Sequence, residues 1–176
     1  DVYKRQNVIS STSVACLVAA GSVGCHACRN KTEGKLHRWL VENLSPHVRW
    51  NEHKLTNPAT GCRMSVDFDR PSELIAIELD GAQHFMEDPT HRYVQNGAHM
   101  RDVEKERQLL DKGFQVLRLL QQDVWDDTRN WDAWLRGEIA RWRERRAAGF
   151  PAGPVRHPFA REYLGGIYAR LRKNTP

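Results

Sequence analysis

Four residues with the chemistry to hold or serve a divalent cation stand at the ends of two neighbouring apolar runs. They are Asp67 in Met64-Ser-Val-Asp-Phe-Asp69, and Glu78, Asp80 and His84 in Leu74-Ile-Ala-Ile-Glu-Leu-Asp-Gly-Ala-Gln-His84. Phosphodiester hydrolysis needs an activated water, charge stabilisation at phosphorus and help for the leaving oxygen. A hard cation held by two or three carboxylates supplies all of these. Asp67, Glu78 and Asp80 are therefore candidate ligands for Mg2+ or Mn2+, with Asp67 and Glu78 the natural pair. His84 is suited to orienting water or moving a proton near neutral pH. Asp102 and Lys105, a helical turn apart on the next helical run, can face the same cleft. Taken singly, an Asp at a strand end is a turn former and a loop His a hydrogen-bonded surface group. What carries the reading is an acidic pair closing an apolar strand, where uncompensated carboxylates are costly.

The elements that must position these groups follow from periodicity. Thr32 can cap a helix over 32–44, in which Leu36, Leu40 and Leu44 recur at helical spacing until Pro46 ends it; Glu33 sits in its first turn. Residues 47–55 read as a short edge strand and Asn57 to Gly61 as a loop. Met64, Val66 and Phe68 alternate with polar partners, which predicts one strand burying Val66 and Phe68 on one face and turning Asp67 away. Leu74 to Leu79 reads as a central strand covered on both faces, with Ala76, Glu78 and Asp80 on one side and Ile75, Ile77 and Leu79 on the other. Gly81 permits a sharp exit. The polar stretch 85–98 reads as a loop, 99–112 as a helix stopped by Gly113, and 114–120 as a strand. A helix over 130–146 carries Trp131, Trp134, Leu135, Ile139 and Trp142 on one side. Residues 149–154 read as a linker and 161–172 as a short basic helix. The order predicts an α/β fold with a mixed sheet.

At 176 residues with 40% hydrophobic content, the chain can bury one sizeable core. We expect a poorly ordered leader over 1–30, a domain over 31–146 and a basic extension over 147–176. The formal charge of +5 is unevenly placed: ten Arg and Lys face three Asp and Glu from Arg136 onward, so the rest is close to neutral. Arg141, Arg143, Arg145, Arg146, Arg170 and Arg172 are thus candidate phosphate contacts, against the plainer reading of a solvated basic helix. No run is long enough to span a membrane. The Val14–Ala20 run behind Lys4 and Arg5 has a signal-peptide outline, but the absence of an initial Met and of a disulfide framework argues for an incomplete N-terminus and an intracellular protein. Cys25-His-Ala-Cys28 has the spacing of half a zinc site, with no second pair to complete it.

Several segments together carry a resemblance. Asn30-Lys-Thr-Glu-Gly-Lys-Leu36, Val66-Asp-Phe68, Ile77 to His84, Arg101-Asp-Val-Glu-Lys105 and Leu109 to Leu119 are similar to a restriction-endonuclease-like domain of the PD-(D/E)xK superfamily. The branch is that of the very-short-patch-repair endonucleases and the homing endonucleases described by an EDxHD motif. Similar segments, preceded by a Cys-x-x-Cys, occur in proteins of large DNA viruses and some unicellular eukaryotes. The resemblance covers about residues 25–140. It implies an αβββαβ mixed-sheet core flanked by helices and a Mg2+-dependent DNA endonuclease of nicking, homing or repair type. It also implies a nuclear or cytoplasmic location, or a viral origin. By analogy Glu33, Asp67, His84 and Asp102 take the four lettered roles and Glu78 the second acidic position. Asp80 stands where the wider pattern has lysine, so Lys105 or His84 would have to replace it. That departure motivates an alternative, a catalytically inactive nucleic-acid-binding module of the same fold. The Cys25–Cys28 pair would be half of a zinc ribbon. Nothing in the residues separates DNA from RNA or fixes the oligomeric state.

Overall fold

The computed structural model describes residues 31–85, 87, 90 and 97–159. Their order is α1 (Lys31–Asn43), β1 (Arg49–Trp50), β2 (Lys54–Thr56), β3 (Arg63–Ser65), β4 (Phe68–Arg70), β5 (Ile75–Asp80), α2 (Ala98–Asp111), β6 (Gln115–Leu120), α3 (Gln121–Asp126), α4 (Trp131–Ala147) and β7 (Pro154–Arg156). Short 3-10 turns lie at Pro71–Glu73 and Ala82–Phe85. Five strands form one mixed sheet in the order β1-β4-β5-β6-β7, while β2 and β3 form a separate hairpin. The β1–β4 and β4–β5 pairs are antiparallel, and β5–β6 and β6–β7 are parallel. The chain is a mixed α/β protein, as its pattern predicts, and no helix among the described residues is long and apolar enough to cross a membrane.

The two faces of β5 are separated as the alternation requires. Ile75, Ile77 and Leu79 join Leu117 and Leu119 of β6 under α1 and α4, which contribute Leu36, Leu40, Trp131, Leu135, Ile139 and Trp142. Each side chain so buried contributes about 1.5–3 kcal/mol. Ala76 and Val116 point the other way, to Leu109 of α2 and to Leu55, Met64 and Val66. Alternation on both central strands thus sends Glu78, Asp80 and Arg118 to the α2 side, where all three are buried.

The stretch from Met64 to Asp69 is not one strand. Val66 N–H donates to His53 O at 3.0 Å and Asn51 N–H to Asp67 O at 2.9 Å, so the chain changes partners between β3 and β4. Val66 and Phe68 consequently pack into different clusters on opposite sides of the sheet, not on one face. The expected edge strand 47–55 is likewise split: β1 joins the sheet and β2 pairs with β3. Asn51, at φ 56, makes that bend in a conformation that asparagine tolerates better than most residues. Gly81 does not use positive φ, and a Cβ there would meet only the movable side-chain amides of Gln83 and Gln121.

The C-terminal boundary also moves. The stretch read as a linker leads into β7, which pairs with β6 over Val116↔Pro154 to Arg118↔Arg156. The Gln115 side-chain amide pins its start, accepting from Gly153 N at 3.2 Å and donating to Gly153 O at 2.5 Å. Pro154 is compatible with the first position of an edge strand. The sheet therefore extends past residue 146, where the domain was expected to end. The expected basic helix at 161–172 and the leader 1–30 lie outside the described residues.

Candidate active site

The C-terminal half of β5 is where the acidic residues gather, with α2 laid antiparallel across them. Helix and strand meet in successive rungs: Leu109 near Ala76, Lys105 on Glu78, and Asp102 with His84 near Asp80. The i, i+2 spacing on the strand meets i, i−4, i−7 spacing on the helix.

Asp67 lies in the break between β3 and β4. Where β4 has turned away from β5, the Asp67 side chain takes the place of a ladder partner, and Leu79 N–H donates to Oδ2 at 2.8 Å. Burial pushes its carboxyl above the usual range; Lys105 and the Leu79 N–H pull it down, while Glu33 and Asp80 add to the rise. Glu33 itself, on the first turn of α1, accepts from Trp50 Nε1 at 2.9 Å and Asn51 Nδ2 at 3.2 Å.

Glu78 is 2% exposed and pairs through Oε2 with Lys105, which also donates to Ser65 O at 3.2 Å. Its other oxygen, Oε1, is buried with no hydrogen-bond partner. Burial drives the Glu78 carboxyl up to about 8, with Asp67 adding to the rise and Lys105 and Arg118 opposing it. Lys105 also holds its proton beyond the ordinary range: burial opposes its charge, but the carboxylates of Glu78 and Asp67 outweigh it. The Asp67–Glu78 pair is thus short of positive charge.

Asp80 is differently placed. Both of its oxygens accept from the buried Arg118 guanidinium, Nε at 2.7 Å and Nη2 at 2.5 Å. Its Oδ1 also lies 3.6 Å from His84 Nδ1. Asp80, expected as a metal ligand, neutralises Arg118 and flanks His84. Arg118 is what the sequence reading missed, although a lone arginine inside the apolar run Phe114 to Leu120 is a signal that an acid must lie opposite it.

His84 sits in the 3-10 turn after β5, with Nδ1 2.7 Å from Asp102 Oδ2. His99 Nε2 donates to the His84 carbonyl at 2.9 Å and fixes the turn. Burial alone would raise the Asp102 carboxyl, but the His84 hydrogen bond and the charges of Arg118, His84 and Lys105 hold it well below the usual range. An ionised Asp102 selects the His84 tautomer with its proton on Nδ1, which directs Nε2 to proton exchange.

Four of the arginines expected to contact nucleic acid lie on or at the end of α4. On α4, Arg143 pairs with Glu73, Arg146 donates to Ser72 O at 3.0 Å and Trp142 Nε1 to Glu73 O at 2.9 Å. These contacts fasten the end of α4 beside the start of β5, about 10 Å or more along the strand from Glu78. Arg141 is paired with Glu138 and Arg145 with the Pro151 carbonyl. Arg170 and Arg172 lie outside the described residues, as do Cys25 and Cys28; Cys62 is an exposed free thiol.

The arrangement brings together Asp67, Glu78, Lys105, Asp80, His84 and Asp102, with Glu33 close enough to bias Asp67. Among the described residues no three His, Cys, Asp or Glu side chains form a ready-made metal cage. Two carboxylates, one with an orphaned buried oxygen and both raised by burial, still suit a Mg2+-like cation, which is commonly held by one or two carboxylates with water and phosphate oxygens completing its shell. Compared with protein-family models, curated proteins and solved structures, the chain gives no significant match to any of them.

Proposed function

We propose that the chain is a metal-dependent DNA endonuclease with a restriction-endonuclease-like core. The observation that carries this reading is the pair of Asp67, half-buried, and Glu78, buried, short of positive charge at the carboxyl end of parallel strands, where α/β sheets commonly bind ligands. Asp67 and Glu78 would hold the cation, Mg2+ or Mn2+. When bound, it supplies an activated water and neutralises charge at the phosphorus.

The chain's own groups have distinct parts. Lys105 stands on Glu78 from the helix side and supplies the positive charge that the lysine of the wider pattern would carry on β5. Asp102 holds His84 through Nδ1, which leaves the Nε2 lone pair of His84 to accept a proton from the attacking water. Asp80 and Arg118 form the buried floor that keeps His84 in place. Glu33, tied to Trp50 and Asn51, positions the chain beside Asp67 and raises its carboxyl.

One feature favours the second reading, an inactive nucleic-acid-binding module: Lys105 covers one Glu78 oxygen and Arg118 takes both of Asp80's, leaving fewer groups for a cation. Digestion of supercoiled plasmid with Mg2+, with Mn2+ and with chelator separates the two. Nicking that requires the metal and is lost in Glu78→Ala supports the endonuclease. Salt-sensitive binding with no cleavage in either metal supports the module.

A further inference from the structure

Arg63 and Arg101 differ from almost every other arginine among the described residues. Apart from Arg38, the rest each donate to an oxygen of the chain or, like Arg70 with Glu73, form an ion pair. Arg63 on β3 and Arg101 on the first turn of α2 are exposed and have no hydrogen-bond or ion-pair partner among the described residues. Both line one cleft of about 220 Å3 between β3 and α2, together with Ser65, His84, Asp102 and Lys105.

A single unpaired arginine on a surface is ordinary. Two of them beside the same cleft, with the His84–Asp102 pair and Lys105 between, have no structural use there, since neither anchors an element. Planar guanidinium groups match phosphate oxygens in paired, two-pronged hydrogen bonds. The layout also sorts charge by depth: Glu78 is buried and Asp67 half-buried, while Arg63 and Arg101 are exposed.

We propose that Arg63 and Arg101 form a phosphate-binding subsite that receives backbone phosphates of a DNA strand on either side of the bond presented to Asp67 and Glu78. This rests on the endonuclease reading and goes beyond it. It moves the substrate contacts from the arginines of α4, which brace the far end of the sheet, to the cleft beside His84.

The test is binding of a short labelled DNA duplex by fluorescence anisotropy in EDTA across a salt series, with plasmid nicking in Mg2+ run in parallel. Each phosphate contact contributes about 0.9 to the slope of log affinity against log salt. Arg63→Ala with Arg101→Ala should therefore flatten the slope by nearly two and weaken binding by about tenfold or more. Arg107→Ala, on the same helix but bonded to Glu104 and Asp111, should leave the slope unchanged. An unchanged slope in the double variant, or an equal loss in Arg107→Ala, overturns the subsite; if the wild type still nicks, the endonuclease reading survives that failure. A wild type that neither binds nor nicks removes both. Should alanine lower the melting temperature, Arg63→Gln with Arg101→Gln gives the same comparison.

Discussion

Replacing Glu78 with Gln should make the metal-free protein more stable. In the native state the carboxyl is buried and titrates at about 8, whereas in the unfolded chain it titrates near 4.5. Below pH 4.5 both states hold the proton and Glu78 contributes no pH dependence. Between there and pH 8 the unfolded state releases it while the native state retains it, so native stability falls as pH rises. At pH 7 the cost is about 3 kcal/mol, from roughly 2.5 pH units at 1.36 kcal/mol each. Gln removes this cost but weakens the partner of Lys105, which keeps Ser65 O and the charge of Asp67; losing a charge-assisted hydrogen bond costs about 1.5–3 kcal/mol. The net expected gain is about 1 kcal/mol at pH 7, or roughly 3 °C in melting temperature. It should grow toward pH 8 and vanish or reverse near pH 5. The assay is thermal or urea unfolding of both proteins in EDTA at several pH values. A variant that melts below the wild type at pH 8, or a difference that stays flat from pH 5 to 8, refutes the reasoning: Glu78 would then be a satisfied ionic partner of Lys105.

Because the native Glu78 holds a proton up to about pH 8, a cation must displace it. Mg2+ affinity should rise about tenfold per pH unit below 8 and level off above, with nearly one proton released per ion in calorimetry repeated in two buffers; a pH-independent affinity contradicts the shift. Arg118→Met leaves Asp80 buried without its partner and should cost about 3–5 kcal/mol in urea unfolding, largely restored by adding Asp80→Asn. A loss under 1 kcal/mol would mean that the pair is better hydrated than its burial implies. His84→Ala should slow nicking by about 100-fold or more, far beyond the modest fall in melting temperature expected from taking a partner from buried Asp102, and Asp102→Asn should flatten the pH–rate profile by releasing the His84 tautomer. Equal nicking rates at all pH values would remove His84 from proton transfer.

Much of the fold is legible because burial imposes a period. Leu36 and Leu40 on α1, the alternation from Ile75 to Asp80, and Trp131 through Trp142 on α4 each repeat at the spacing of the element they form, and each packs as that spacing predicts. What the pattern hides is set by partners distant in sequence. The alternation from Met64 to Asp69 continues through a break that is made by Asn51 and His53, and β7 exists because β6 and the Gln115 side chain hold it. α3 is only six residues long, too short to show a helical period, and its buried Asp123 is satisfied by Thr128 and Arg129 after the helix ends.

The site divides in the same way. Convergence of Glu78 with Asp102 and Lys105 follows from strand alternation and helix spacing, which are local, whereas Asp67 arrives through the break that Asn51 and His53 make. The fate of Asp80 depends on register: β6 pairs Arg118 with Glu78, two residues short of Asp80, and its guanidinium reaches along the strand to that carboxylate. The arginines of α4 are hidden for a related reason. Charge along α4 is visible in the sequence, but its contacts with Ser72 and Glu73 at the opposite end of β5 are not.

The central claim is that Asp67 and Glu78 together hold the cation that cleaves DNA. Its most direct measurement is plasmid nicking in Mg2+ by Asp67→Asn and Glu78→Gln, each shown by melting in EDTA to be folded. The account predicts that both lose at least 100-fold in rate, a loss on the scale of removing one charge-stabilising group from a catalytic centre, and that chelator abolishes wild-type nicking. Wild-type nicking that continues in chelator, or that survives in either variant at close to the full rate, would contradict it.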